Sequence, residues 1–201
     1  MPSVTFLHLP KEKQEKIIGT CKKEFTSCTL NHASINKIIK DADISRGSFY
    51  QYFTDIEDAY FYIIFSYRND LFNKLFYYIK LNNNDLIEGF LSLFDYICFY
   101  KLTKVEEKFF HNIILNMNNY HQKRLNNDKC DFYETNRKKL LEIVDTSKFN
   151  DFAKDNIEEV FTLLFHMLMH SIVPVFIKKT DKNISKQHFN KRIRLIEGGI
   201  Y

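Results

Sequence analysis

The sequence predicts an all-α protein, and three observations lead there. Its 201 residues contain only 5 glycines and 3 prolines, too few punctuating residues for the many tight turns of a sheet protein. Apolar side chains recur every three or four positions in stretch after stretch, the period of a helix with one covered face. No stretch alternates apolar and polar residues over strand length. Within this class the chain divides into an N-terminal three-helix unit with a helix-turn-helix, residues 1–54, and a C-terminal helical bundle, residues 55–201. At 45% hydrophobic residues it carries enough apolar material for one large or two modest cores.

Taken in order, an arm from Met1 to Leu9 comes first, either loose or lying on a nucleic acid. Pro10 suits the start of the first long helix, because its missing N–H falls where helices have no internal partner. Ile17, Ile18, Cys21 and Phe25 then form an apolar stripe opposite Lys11, Glu12, Lys22 and Lys23. Ser27 to Ala33 is a link. From Ser34 a short helix with Ile35, Ile38 and Ile39 inward ends near Ala42, and Asp43 and Ile44 make the corner. Ser45 caps the next helix, its hydroxyl accepting from the unpaired amides of the first turn. Phe49 and Phe53, four apart, point that helix inward and leave Arg46, Gly47, Ser48, Tyr50, Gln51 and Tyr52 outward. The gap at Gly47 lets a phosphate or base edge approach the backbone. Two short helices meeting at such a corner form a helix-turn-helix, with the second helix presented to a groove.

Asp55 followed by Asp58 reads as a capping box before a long helix. Tyr60, Ile63, Ile64, Tyr67, Leu71, Leu75 and Ile79 continue that helix, and Asn82, Asn83 and Asn84 stop it. Leu86 to Ile97 and Phe109 to Met117 mark two more helices by the same spacing. The stretch from Tyr120 to Val144 is more polar and reads as a loop near Asn126 followed by a helix. Asp155 to Lys179 carries more apolar surface than one covered side needs, so it is expected to meet a second partner as well as its own core. Pro174 is expected to kink or end it. Ser185 to Ile196 is the last helix.

The run Ala42-Asp43-Ile44, Ser45-Arg46-Gly47-Ser48-Phe49-Tyr50-Gln51-Tyr52-Phe53, then Asp55 and Glu57-Asp58, resembles the signature of the tetracycline-repressor (TetR) family of transcriptional regulators. The match runs from Pro10 to about Tyr60. Asp43 stands in place of the family's usual turn glycine, Ile39 in place of a small residue, and Ile56 where a phosphate-contacting Lys is common. A glycine is also usual near Thr29, and the sequence does not reveal which residue makes that turn instead. The resemblance implies a homodimer formed by the last two helices, about residues 155–196, a near-palindromic double-stranded DNA operator, and a small-molecule effector bound in the C-terminal bundle.

On the DNA side, Ser34, Tyr50 and Tyr52 are expected to position the backbone, with Ser45 and Gly47 beside them. Arg46, Ser48 and Gln51 are the expected base readers, since Arg forks onto guanine and Gln onto adenine. Pro10 to Thr54 holds eight Lys/Arg against five Asp/Glu, a modest excess in a chain of net charge +4. Few phosphate contacts per subunit, doubled in a dimer, fit that balance. The 20 Phe and 12 Tyr make an apolar or aromatic effector the natural guest. Phe94, Phe110, Ile113, Met117 and His166 are the expected wall of its site. A helical protein-interaction module whose helix-turn-helix no longer reads DNA is the alternative.

Other chemistry finds little footing. No phosphate-binding glycine loop, dinucleotide turn or Ser-His-Asp order is present, so no enzyme activity and no cofactor are expected. His166 and His170 lie four apart without a third ligand at matching spacing, so no metal is expected. Cys21, Cys28, Cys98 and Cys130 form no CxxC pair and read as free buried thiols, a redox sensor being the sharper reading. Lys178 to Arg194 holds seven basic residues and one acid and reads as a solvated rim. Ile157 to Ile177 contains Glu158, Glu159, His166 and His170, so no membrane span is expected, and the protein is placed in the cytoplasm. Heavy use of Lys, Asn, Ile, Phe and Tyr, all with AT-rich codons, points to a bacterial source.

Overall fold

The computed structural model describes residues 2–99, 103–116, 136 and 138–201. Among them there is no strand. The helices are α1 (Val4–Leu7), α2 (Lys11–Ser27), α3 (Ile35–Ala42), α4 (Arg46–Tyr52), α5 (Ile56–Leu81), α6 (Leu86–Phe99), α7 (Lys104–Asn116), α8 (Asp151–Asp155), α9 (Ile157–Ile177) and α10 (Lys182–Ile200), with a 3-10 turn at Leu30–His32. Residues 138–143 are also helical. The all-α expectation holds. Packing divides these residues into two compact units, 2–69 with 103–116, and 70–99 with 136 and 138–201, so the boundary falls inside α5. The sequence reading placed its boundary earlier, between 54 and 55.

In the first unit α2 packs on α3 and α7, α3 on α4, and α4 on α1. Ile17, Cys21, Phe25, Ile38, Ala42, Phe49 and Phe53 are buried, which is the inward face read from the spacing. Asp43 takes the left-handed conformation (φ 57°, ψ 52°) that the corner requires. Asp is among the few non-glycine residues that tolerate it, which is how the corner does without a glycine. The link before α3 does not need one either. Thr29 has φ −71°, the 3-10 turn follows it, and Thr29 Oγ1 lies 2.8 Å from His32 Nδ1. The buried carboxylate of Glu24 then holds the start of α3, its Oε1 accepting from the Ser34 amide at 2.9 Å. Asp55 accepts from the Asp58 amide and Asp58 from the Thr54 amide, a reciprocal cap at the head of α5.

The second unit is built from the C-terminal part of α5, α6, α8, α9 and α10. Asn83 and Asn84 both have positive φ (56° and 62°) and end α5, and the next turn brings α6 back along it. Gly89 permits that close approach. A Cβ there would lie 2.4 Å from Ile79 Cγ1 and 3.1 Å from its Cα. Phe94 stacks on Phe189 with centroids 4.8 Å apart and planes 18° from parallel. Such a pair is worth about 0.5–1.5 kcal/mol beyond its buried area. Phe161 sits among Phe72, Phe90 and Phe165 at 5.8, 5.6 and 6.4 Å. Asn150 fastens the end of α10, its amide donating to the Ile200 carbonyl at 2.8 Å and its Nδ2 to the Gly199 carbonyl at 2.9 Å.

Two boundaries differ from the sequence reading. Pro174 does not end α9, which continues to Ile177. It lies in the last turn, where the lost N–H costs one bond and its carbonyl still accepts from Lys178. The last helix begins at Lys182 rather than Ser185, because Asp181 caps it by accepting from the amides of Asn183 and Ile184.

Candidate nucleic-acid interface

The exposed surface of α4 is set by what lies beneath it. Phe49 is fully buried and Phe53 nearly so, their rings 5.6 Å apart, and this pair fixes which side of the short helix faces out. Ser45 Oγ accepts from the Ser48 amide at 3.0 Å and lies 2.9 Å from Ser48 Oγ, so the two hydroxyls hold each other at the helix start. A side-chain cap of this kind contributes about 1 kcal/mol. Beside it, a Cβ added at Gly47 would meet only Ser45 Oγ, at 3.7 Å. The helix backbone is therefore open to an approaching ligand at that point.

Arg46 is exposed and already oriented. Its Nη1 donates to Asn36 Oδ1 at 2.9 Å and its Nη2 to Tyr50 Oη at 3.3 Å, with the guanidinium 5.7 Å from the centre of the Tyr50 ring. Tyr50 is 45% exposed, and Gln51 is exposed on the next position of the same helix. Ser34 is half-buried at the head of α3, its side chain making no cap bond there. Lys37 and Lys40 are exposed on α3, and Lys37 Nζ lies 3.6 Å from Glu24 Oε1. Lys23 donates to Asp41 at 2.9 Å and holds that carboxyl below the usual carboxylate range.

One of the predicted contact residues does not belong to this surface. Tyr52 is 5% exposed, its ring 5.9 Å from Phe6. The reason is helical geometry. Position 52 is three residues after Phe49, on the same face, and the arm's Phe6 closes over it. The sequence reading missed Asn36, the residue that holds Arg46. Its signal was present, since Asn36 is a polar position on the side of α3 opposite Ile38 and Ala42.

Residues 85–200 match the family model described as the tetracyclin repressor-like C-terminal domain. The chain belongs to the tetracycline-repressor family. The matched span begins at the head of α6 and ends with α10. Among solved structures, a TetR family transcriptional regulator from Chloroflexus aurantiacus J-10-FL is similar over 100% of this chain and 98% of that one, at 17% identity and a TM-score of 0.45. No curated protein matches. Proteins of the TetR family are transcriptional regulators rather than enzymes.

Within the TetR C-terminal span, α9 is long and apolar, with a mean hydropathy of 2.0 over its most apolar 18 residues and only a third of that stretch buried. By length and composition alone such a helix could cross a membrane, which the sequence reading did not anticipate. In this family member it packs on α6, α8 and α10 inside the matched domain. Leu163 on α9 and Ile184 and Leu195 on α10 remain exposed at 48%, 49% and 80%. Arg192 of α10 reaches α9, donating to Ser171 Oγ at 2.9 Å and lying 3.1 Å from His170 Nδ1.

The described residues expected to wall the effector site fall in both packing units. Phe94 is buried in the second unit against Phe189. His166 is in the same unit but is exposed, since it lies on the side of α9 away from Leu164 and Leu168. Phe110 and Ile113 belong to the first unit, where Phe110 packs 4.8 Å from Tyr67. Met117 and Cys130 lie outside the described residues. Of the other cysteines, burial pushes the Cys21 and Cys98 thiols up to about 12. Cys28 is also raised, by burial first and then by the Glu24 charge.

Proposed function

We propose that this TetR-family regulator is a cytoplasmic homodimeric repressor that reads a near-palindromic operator with α4 and is released by a small apolar or aromatic effector. The supporting observation is the row of exposed Arg46, Gly47, Tyr50 and Gln51 with half-buried Ser48 among them, on a helix seated by Phe49. Arg46 and Gln51 read bases, with Ser48 as a shorter-range partner, and Tyr50, Ser34 and the open backbone at Gly47 face phosphates. Residues 1–54 form the reading domain and 55–201 the effector and dimer domain.

Dimerisation through α9 and α10 explains why α9 is apolar beyond what its own unit covers. Two copies related by a two-fold axis place two recognition helices about one DNA turn or somewhat more apart, hence the palindrome. Helix α5 belongs to both packing units, so an effector that favours one seating of the bundle changes the spacing of the recognition helices. Coupling of about 1–3 kcal/mol is typical of such linkage. Phe94 is the wall residue best supported by its setting, and an effector reaching it exchanges the Phe189 stack for its own.

The interaction-module reading draws on the half-buried Ile56 at the head of α5, where a phosphate-contacting Lys is common, and on the modest net charge of +4. Selection from a randomised duplex pool separates the two. A repressor enriches an inverted repeat and is retarded with it as a dimer, whereas an interaction module enriches nothing.

A further inference from the structure

The segment Ser3–Leu9 is fastened to the end of the recognition helix. Phe6 is fully buried, its ring 4.9 Å from Phe53, 5.7 Å from Tyr62 and 5.9 Å from Tyr52. Beside it the Ser3 amide donates to the Tyr52 carbonyl at 2.9 Å, and Ser3 Oγ donates to the Gln51 carbonyl at 2.5 Å. The last carbonyls of a helix have no partner inside it. Helix α4 is only seven residues long, so these two acceptors are a large part of its unsatisfied end. The other end of the segment is tied to α2, where Gln14 Nε2 donates to the carbonyls of Leu7 at 3.1 Å and Leu9 at 2.8 Å.

A helix this short has little stability of its own, and its position is set by what it packs against. The Ser45 cap holds the first turn of α4. Phe49, Phe53 and the Ser3–Leu9 segment hold the last turn, which carries Tyr50 and Gln51. We propose that Ser3–Leu9 is a strap that keeps the last turn of α4 in its DNA-reading position, with Phe6 and Ser3 as positioning residues. This rests on α4 being the reading helix. Without the strap, Tyr50 and Gln51 fray while Arg46 and Ser48 stay capped.

The test compares the full chain with Phe6→Ala, Phe6→Leu and Ser3→Ala. It measures amide hydrogen exchange without DNA and affinity for a duplex that the wild-type protein selects from a randomised pool. In Phe6→Ala, amides 49–53 exchange at least about tenfold faster while those of α2 and α3 hold their protection. Affinity falls by about tenfold with the salt slope unchanged, and preference is lost first at the base pairs that Gln51→Ala affects. Ser3→Ala shifts both readouts the same way by less, and Phe6→Leu restores most of each. Unchanged exchange at 49–53 overturns the strap alone. So does exchange that quickens alike across the first unit, with affinity lost only in proportion to unfolded protein. Should Phe6→Ala fail to fold, Ser3→Ala decides by the same outcomes. A wild-type chain that selects no duplex overturns the strap together with the DNA reading.

Discussion

Arg46 Nη1 donates to Asn36 Oδ1 across the corner of the helix-turn-helix, at 2.9 Å. A base-reading arginine loses side-chain freedom when it docks, and a partner that holds it beforehand reduces that loss. Asn36→Ala removes the partner without touching the core, since Asn36 is exposed. The variant is expected to melt within about 0.5 kcal/mol of the wild type, as surface substitutions usually do. Its operator preference is expected to weaken at the base pairs that Arg46→Ala affects and nowhere else. Selection profiles of the two variants check this.

Gln51 and Tyr50 separate reading from positioning. Gln51→Ala is expected to relax preference at one or two operator positions, by about 1–3 kcal/mol of discrimination at each. Tyr50→Phe keeps the ring and removes the hydroxyl, so it is expected to weaken binding to every sequence alike. Titrations over a set of single-substitution operators distinguish the two patterns, and the reverse assignment would contradict the account.

Glu24 is expected to hold the first unit together. Its buried carboxylate accepts from the Ser34 amide. Glu24→Ala leaves that amide without its acceptor, at a cost of about 1–3 kcal/mol. Denaturant midpoints at constant slope measure it. Glu24→Gln retains an acceptor oxygen and is expected to lose less.

Gly89→Ala tests the packing of the second unit. The added methyl would overlap Ile79, whose backbone cannot yield as a flexible side chain would. Overpacking of this kind costs about 1–3 kcal/mol. The melting temperature is expected to fall, whereas Gly198→Ala, with open space around it, is expected to leave it nearly unchanged.

Thiol reactivity follows burial. With the Cys21 and Cys98 thiols pushed up to about 12, the thiolate fraction at pH 8 is on the order of 10⁻⁴. Iodoacetamide at that pH is expected to label Cys28, which is only half-buried, before either of them in the native protein. All three are expected to react readily in guanidinium. Native labelling of Cys21 at the unfolded rate would contradict the packing of α2.

How much of this the sequence reveals depends on the range of the interaction. Ser45 and its cap, Asp43 at the corner, and Asn83 and Asn84 after α5 were legible because each acts within a few residues of itself. The inward faces were legible because helical spacing reports them. Tyr52 was misread because the residue that covers it, Phe6, is 46 positions away and shares no local pattern with it. Glu24 capping α3 was hidden for the same reason, since its charge reads as one more solvated residue of α2. Helical spacing says that Phe94 and Phe110 turn inward and cannot say into which unit each one packs.

The central claim is that the outward side chains from Arg46 to Gln51 read DNA in a dimer. Its most direct test is the affinity of the wild-type chain and Arg46→Ala for a selected inverted-repeat duplex, measured across a series of salt concentrations. The account predicts that log affinity falls linearly with log salt, with a slope of about −0.9 per phosphate neutralised. It also predicts that Arg46→Ala loses about 1–3 kcal/mol of its preference for the selected duplex over one substituted at the base pairs Arg46 reads. Binding that ignores salt, or an Arg46→Ala chain that still prefers the selected sequence in full, would contradict it.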